Sequence, residues 1–542
     1  MFCKDDARKR NLKVFRFNPD GGVSSLDPAF ARNIVNIWAA TQLYNGLVEL
    51  DSNMKVVPAI AKQYTVSRDG LKYVFRLRSD VYFHDNEVFA DGKGRLVTAP
   101  DFVYSFKRII SKNTASPGAW IFNDKLMTDS AGKISDTCFV AQNDSTLIIY
   151  LEKPFPPFLQ LLSMNYASVV PYEAVEKWGK DFRVHPVGTG PFVFKLWDEA
   201  SKIILVKNEN YWKTGAKGEK LPYIDAVEIG FINDMNVAFM TFLRGDLDFF
   251  SGIIENSKDK ILNMDGSIKP EFLVKYNVQK VPYMNTEYVG FQLDTAFYMD
   301  KNHPFLNKNF RKALSYSIRR KELVQYLRNK LGFEGNSGFV PNSLPSFDSI
   351  EVSGYPYNIE KAVYYLEKSN YKKYKDHFTL KLSTVATLKD IAEFLQKEWS
   401  KIGVDIEIDI NQAATQRELT DKGEIKFFKS SWVGDYPDAE NYLALFYSKN
   451  YSPAGPNKFH YYNQKYDMLY ENALEEQDIS VRHNIYKQME KIVMDDAPLI
   501  VLYYDQIIRI TQKNIIGFKA NAMNTVILEN TDIIKKNNTH EK

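Results

Sequence analysis

The run from Phe378 to Ile410 constrains the fold more than any other part of the chain. Phe378 to Leu382 reads as a strand. Leu388, Ile391, Phe394, Leu395 and Ile402 then recur at helical spacing, and Gly403 supplies a stop. Val404 to Ile410 alternates apolar and polar residues with the period of a half-buried strand. Strand, helix, strand is a βαβ unit, whose two strands lie parallel with a right-handed crossover. A chain carrying such a unit belongs to the α/β class.

Length sets the scale around that unit. At ~150 residues per domain, 542 residues make three or four domain-sized pieces. Hydrophobic content of 44% and charge of 25% are those of a globular protein. A net charge of +3 gives no electrostatic footprint for nucleic acid. The excess lies in 33 Tyr and 36 Phe, which suit both cores and adaptable binding walls. Two cysteines, Cys3 and Cys138, are too few for a zinc site or a disulfide framework, and the apolar setting of Cys138 predicts a buried thiol. No run of ~18 apolar residues occurs, so nothing in the sequence is expected to span a membrane. The polar stretch Lys4 to Asn11 would make a tether for a lipidated Cys3 if a leader has been trimmed ahead of it; otherwise the pattern fits a cytosolic protein.

Read in order, Leu12 to Phe17 alternates as a strand and Ile37 to Tyr44 forms a helix ended by Asn45-Gly46. Short strands at Leu47–Leu50 and Lys55–Val57 precede a hairpin of Tyr64–Ser67 and Tyr73–Leu77 around Arg68-Asp69-Gly70. Thr98 caps a helix whose Pro100 and Asp101 suit its first turn. Gly188-Thr189-Gly190-Pro191 is a tight turn before a strand; without a third glycine and a helix it is no phosphate cradle. A strand runs from Tyr276 to Leu293, interrupted at Pro282, and a basic helix covers Phe310 to Leu327 with Arg319-Arg320 on its solvated face. Ser257 to Phe272 carries no clear signal. Asn358 caps a helix over Ile359 to Leu366, and Val501 to Ile510 supplies a late strand.

Catalytic patterns are missing. The seven His are scattered, with no His-Glu-x-x-His, no Gly-x-Ser-x-Gly elbow and no Walker loop. His84-Asp85 is read as a structural hydrogen bond rather than a dyad. The informative polar group is Asp435. Ile425 to Phe428 reads as a buried strand, and the chain then turns through Gly434 and Pro437 toward a helix near Asp438. That places Asp435 at the mouth of a strand-to-helix turn beside the indole of Trp432, a setting for a cationic head group or for a simple Asx-turn.

Short motifs in a fixed order decide between these. Leu43-Tyr44-Asn45-Gly46-Leu47, Pro58-Ala59-Ile60-Ala61, Phe83-His84-Asp85 and Thr98-Ala99-Pro100-Asp101-Phe102 are followed by Val187-Gly188-Thr189-Gly190-Pro191-Phe192 and Asn208-Glu209-Asn210-Tyr211-Trp212. Phe310-Arg311-Lys312-Ala313-Leu314-Ser315-Tyr316 and Trp432-Val433-Gly434-Asp435-Tyr436 complete the series. The chain resembles the oligopeptide- and dipeptide-binding proteins of ABC importers over essentially its whole length after the first ten residues.

The resemblance implies a two-lobed periplasmic-binding-protein fold of type II with an additional third domain and a ligand cleft between the lobes. Carried over, residues 11–47, 168–280 and 501–534 form the first lobe, 48–167 the extra domain and 281–500 the second lobe, with 1–10 a tether and 535–542 a polar tail. Asp435 takes the place of the family's buried carboxylate for the peptide ammonium, and Trp432 walls a side-chain pocket, with Trp120 a second candidate. Segments near Asn33-Ile34 and Ser430-Ser431 stand where the family pairs with ligand main chain. Lys429 is a candidate for a ligand carboxylate, its alternative being an exposed strand-end lysine. No catalytic residue, metal or cofactor is implied. The partners are short peptides and the permease subunits of an importer, the protein is a monomer, and its place is the periplasm or the extracytoplasmic face of the cell membrane. The alternatives are another solute on the same fold (an oligosaccharide, haem or a nickel complex) and a hydrolase that kept the fold.

Overall fold

The computed structural model describes residues 12–253, 258–263, 265–369 and 371–535. Cys3 and the tether lie outside them. The chain divides into two compact units, one of residues 1–261, 268–281 and 508–542, the other of residues 262–267 and 282–507.

In the first unit the strand Val14–Phe17 pairs parallel with Ala226–Gly230 on one side and with Phe249–Ser251 on the other. Lys202–Lys207 and Phe192–Asp198 continue the sheet antiparallel beyond Ala226–Gly230. A separate antiparallel sheet takes Ala61–Val66, Lys72–Leu77, Thr146–Tyr150 and Phe139–Asn143 in that order. The helix Ala99–Ile110 opens as its sequence predicts: the Asp101 carboxylate accepts from the Thr98 N–H at 2.8 Å and from the Thr98 hydroxyl at 2.9 Å. The glycines of Gly188-Thr189-Gly190 are explained by close approach, since a Cβ on Gly188 would lie 2.1 Å from the Leu43 carbonyl oxygen. His84 is structural: its Nδ1 accepts from the Gly188 N–H at 3.3 Å, which leaves Nε2–H to donate to Gly190 O at 3.0 Å. Burial pushes its pKa down to about 4, while Asp85 pairs with Lys93. Cys138 is a buried thiol.

The second unit is built on the βαβ element. Lys381–Val385 and Glu407–Asn411 pair parallel, from Lys381 opposite Glu407 to Val385 opposite Asn411, with the helix Lys389–Ser400 between them in sequence. Phe427–Val433 follows next to Lys381–Val385, and beyond it runs the strand Tyr276–Phe291, antiparallel, with Asn285 opposite Val433 and Phe291 opposite Phe427. The helix Lys389–Ser400 buries Ile391, Leu395 and Trp399 in a core shared with Phe305, Phe310, Leu314 and Phe427.

Several expectations need correction. The strand Tyr276–Phe291 is continuous through Pro282, where the chain passes from one unit to the other. The first helix starts at Ile34, three residues early, because the Asn33 side chain accepts from the Asn36 N–H at 2.8 Å. Between 258 and 272 there are short helices, Lys258–Ile261 and Pro270–Lys275; residues 257 and 264 of that stretch lie outside the described residues. The basic helix ends at Tyr316 rather than Leu327 and resumes as Arg320–Glu322 and one wide turn, Leu323–Leu327. Arg320 is the reason, and it is not solvated: only 2% exposed, it donates to the carbonyls of Val501 (2.7 Å), Ser315 (3.0 Å) and Tyr355 (2.6 Å). Arg319 is held too, bidentate on the buried Glu398 at 2.8 and 2.9 Å.

Candidate functional site

Asp435 lies in the second unit, two residues beyond the strand Phe427–Val433 and five before the four-residue helix Glu440–Leu443. The turn between them is over-determined by phenols. Tyr442 donates to Met284 O at 2.7 Å and accepts from the Gly434 N–H at 3.2 Å. A Cβ on Gly434 would lie 2.6 Å from the Met284 methyl, so only glycine passes there without displacement. Tyr436 and Tyr470 both donate to the buried Glu440 carboxylate, and Tyr486 donates to Asp438 at 2.9 Å.

Asn441 joins this scaffold to the site. Its Oδ1 accepts from the Trp432 indole N–H at 3.0 Å and from the Asp435 backbone N–H at 3.1 Å. No Asx-turn bond from Asp435 to its own neighbouring backbone is found among the described residues, so that simpler use of the carboxylate does not hold. Asp435 is open to solvent on one side, yet crowding by protein raises its carboxyl above the usual carboxylate range, with the polar amide of Asn441 acting in the other direction. No Lys, Arg or His pairs with it among the described residues. Sequence reading missed Asn441; its only signal was its place one helical turn past Asp438.

Strand geometry sorts the remaining residues. Ser431 lies opposite Glu287 and Trp432 opposite Thr286, so alternation puts Ser431 and Lys429 on one face of the sheet and Trp432 on the other. The neighbouring strand Lys381–Val385 reaches Phe427–Val433 through Ser383 opposite Phe428. Past that point no strand among the described residues pairs with the outer edge of Ser431–Val433, which leaves main-chain groups open. Trp432 is half-buried and Ser431 exposed.

Lys429 is not the exposed strand-end lysine that the sequence allowed. Its side chain has 0% exposure, and its ammonium is paired with Glu287 and donates to Ser430 O at 2.9 Å. Glu287 in turn accepts from Asn285 Nδ2 at 3.0 Å, and Asp505 accepts from Arg328 at 2.9 Å on the same unit.

Asn33, Ile34 and Trp120 belong to the first unit. Asn33, with an extended backbone, caps the helix that starts at Ile34. Trp120 is half-buried in the single turn Ala119–Ile121, where its carbonyl accepts from Lys125 at 3.1 Å.

Two α/β units, strands crossing between them in sequence, and a carboxylate just past an open strand end, with no cation beside it among the described residues, are the parts of a binding protein of the two-lobed type II class. The chain belongs to the bacterial extracellular solute-binding proteins, family 5, whose profile matches residues 55–453. It is similar to the glutathione-binding protein GsiB of Escherichia coli, 26% identical over 515 residues that cover 91% of this chain and 90% of that one. In fold it resembles HbpA2 from Haemophilus parasuis, with a TM-score of 0.81 at 23% identity over 96% of this chain and all of that one. It also resembles the periplasmic binding protein DppA from Helicobacter pylori in complex with the peptide STSA, with a TM-score of 0.76 at 24% identity over 98% of this chain and 100% of the other. Proteins of this family are substrate-binding components that work with ABC importers. Among the described residues no helix is long and apolar enough to cross a membrane.

Proposed function

We propose that this protein is a non-enzymatic, extracytoplasmic receptor that captures short peptides by their N-terminal ammonium and main chain and hands them to an ABC permease. The observation that carries the reading is Asp435, a crowded carboxylate that faces solvent and has no cationic partner among the described residues. A charged group taken partly out of water is costly unless a counter-charge meets it. A free peptide brings that charge at its amino terminus, whatever its sequence; a neutral sugar brings none. The open edge of Ser431–Val433 offers main-chain pairing to an added strand, and a ligand lying there would touch both faces, Trp432 on one and Ser431 on the other. Asn33, Ile34 and Trp120 are proposed as further ligand contacts and 48–167 as the extra domain. Cys3 is proposed as the lipid attachment point.

Glutathione is a second ligand with a specific reason behind it, since the similar curated proteins are glutathione-binding and the tripeptide carries one free α-ammonium. Calorimetric titration of the purified protein tests both readings. Free tri- and tetrapeptides or glutathione should bind, and their N-acetylated forms should bind at least about thirtyfold more weakly, from the ~2–5 kcal/mol cost of removing one partner of a buried charge pair. Asp435→Ala should bind neither form well while keeping its circular dichroism spectrum. Equal affinity for free and acetylated ligands would refute the assignment.

A further inference from the structure

Three arginines of the second unit spend their donors inside the protein. Arg311, Arg319 and Arg320 each make three side-chain hydrogen bonds, to carbonyls or carboxylates. Arg328 makes one. Its guanidinium lies over the Tyr503 ring, 5.3 Å from the centroid, and Nη2–H donates to Asp505 Oδ1 at 2.9 Å. Nε–H is buried without an acceptor, and Nη1 has none among the described residues either. The side chain is 33% exposed. A guanidinium held by a ring and one carboxylate presents a fixed planar fork that matches a second carboxylate.

Its place relates it to the site. Asp505 also accepts from Asn285 Nδ2 at 3.4 Å, and Asn285 stands opposite Val433 across an antiparallel pair. Asn285 and Glu287 therefore share the sheet face of Ser431. The strand order runs from Phe427–Val433 through Tyr276–Phe291 to Leu499–Gln512, so Asp505 lies two strand spacings, about 10 Å, from the strand end that leads to Asp435. About three extended residues, at ~3.3 Å each, cover that distance. Lys429, the other cation on this face, is closed to a ligand: its side chain has 0% exposure and is already paired with Glu287.

We infer that Arg328 receives the terminal carboxylate of the short peptide whose ammonium Asp435 holds, so that the receptor reads both ends of its ligand. This rests on the reading of Asp435 as the ammonium receptor. Calorimetric titration with tri-alanine as the free acid, as its C-terminal amide and as its N-acetyl form tests it. The parent should bind the acid about tenfold more tightly than the amide, as a charge-assisted hydrogen bond in a partly exposed setting does. In Arg328→Gln the acid should fall to the level of the amide. Amide affinity should stay at the parent's value, and the preference for a free over an acetylated amino terminus should persist. Arg328→Lys keeps a charge beside Asp505 without the fork over Tyr503, so it should retain only part of the acid preference; it carries the test if the Gln variant does not fold. The amide of Ala-Ala-Glu, whose one carboxylate is on a side chain, should bind like tri-alanine amide, and binding as tight as the free acid would overturn the terminal assignment. Equal affinity of the parent for acid and amide, or an equal loss of both in the folded variants, would overturn the role of Arg328. If the parent shows that equality yet still prefers the free amino terminus, only this inference falls; if it makes no distinction at the amino terminus, the reading of Asp435 falls first.

Discussion

A lysine inside a strand is costly to bury unless a carboxylate meets it, and Glu287 meets Lys429. The partners lie 142 residues apart in sequence on adjacent antiparallel strands. That separation is why the residue was illegible in sequence: two phenylalanines precede it, a serine follows, and nothing local distinguishes a buried cation from a surface one. The turn at Asp435, by contrast, was legible because it is written locally in Gly434, Pro437 and Trp432, although the bond from its N–H to Asn441 was not. Breaking the buried pair from one side should be much worse than removing both charges. Lys429→Met leaves Glu287 without its cation at 12% side-chain exposure, and should lose about 3–5 kcal/mol. The double change Lys429→Met with Glu287→Gln should recover most of that. Thermal unfolding followed by circular dichroism reads both, and a single variant as stable as the parent would show that the pair contributes nothing.

Elements were readable wherever the signal is periodic or capped by a near neighbour. Asn358 accepts from Lys361 N–H as expected, and the parallel βαβ pairing follows from its spacing. The break after Tyr316 was hidden because the carbonyls that draw Arg320 inward come from Val501 and Tyr355, distant in sequence. The long helix Ile479–Asp496 hides a similar feature, Glu490, which accepts from the Val340 N–H at 2.9 Å in a fully buried setting. Burial pushes its carboxyl up from 4.5 to about 8. Between those values the folded protein holds a proton that the unfolded chain releases, so this contribution is complete below about 4.5 and is lost as pH rises through about 8. Glu490→Gln keeps an acceptor for Val340 without a titrating proton. The fall in melting temperature between pH 6 and pH 9 should therefore be smaller in the variant than in the parent; parallel curves would mean that Glu490 does not titrate in that window.

For the whole molecule, family membership was legible because its motifs are spread from Leu43 to Tyr436, each too short to mean much and all in one order. Ligand choice was less so, because it depends on a few side chains whose surroundings are fixed by packing between remote segments. Stability offers a way to read that choice from the intact protein. A ligand that binds only the folded state stabilises it by RT ln(1 + [L]/Kd), about 2.7 kcal/mol at one hundred times Kd. A peptide or glutathione with a free amino group should then raise the melting temperature in proportion to the logarithm of its concentration. Its acetylated counterpart at the same concentration should leave the curve where it was, and in Asp435→Asn the two should coincide. Because linkage reports any binding to the fold, a sugar or haem ligand would also register. A shift with such a solute, together with no shift for free peptides, would replace the proposed ligand class while leaving the fold and family untouched.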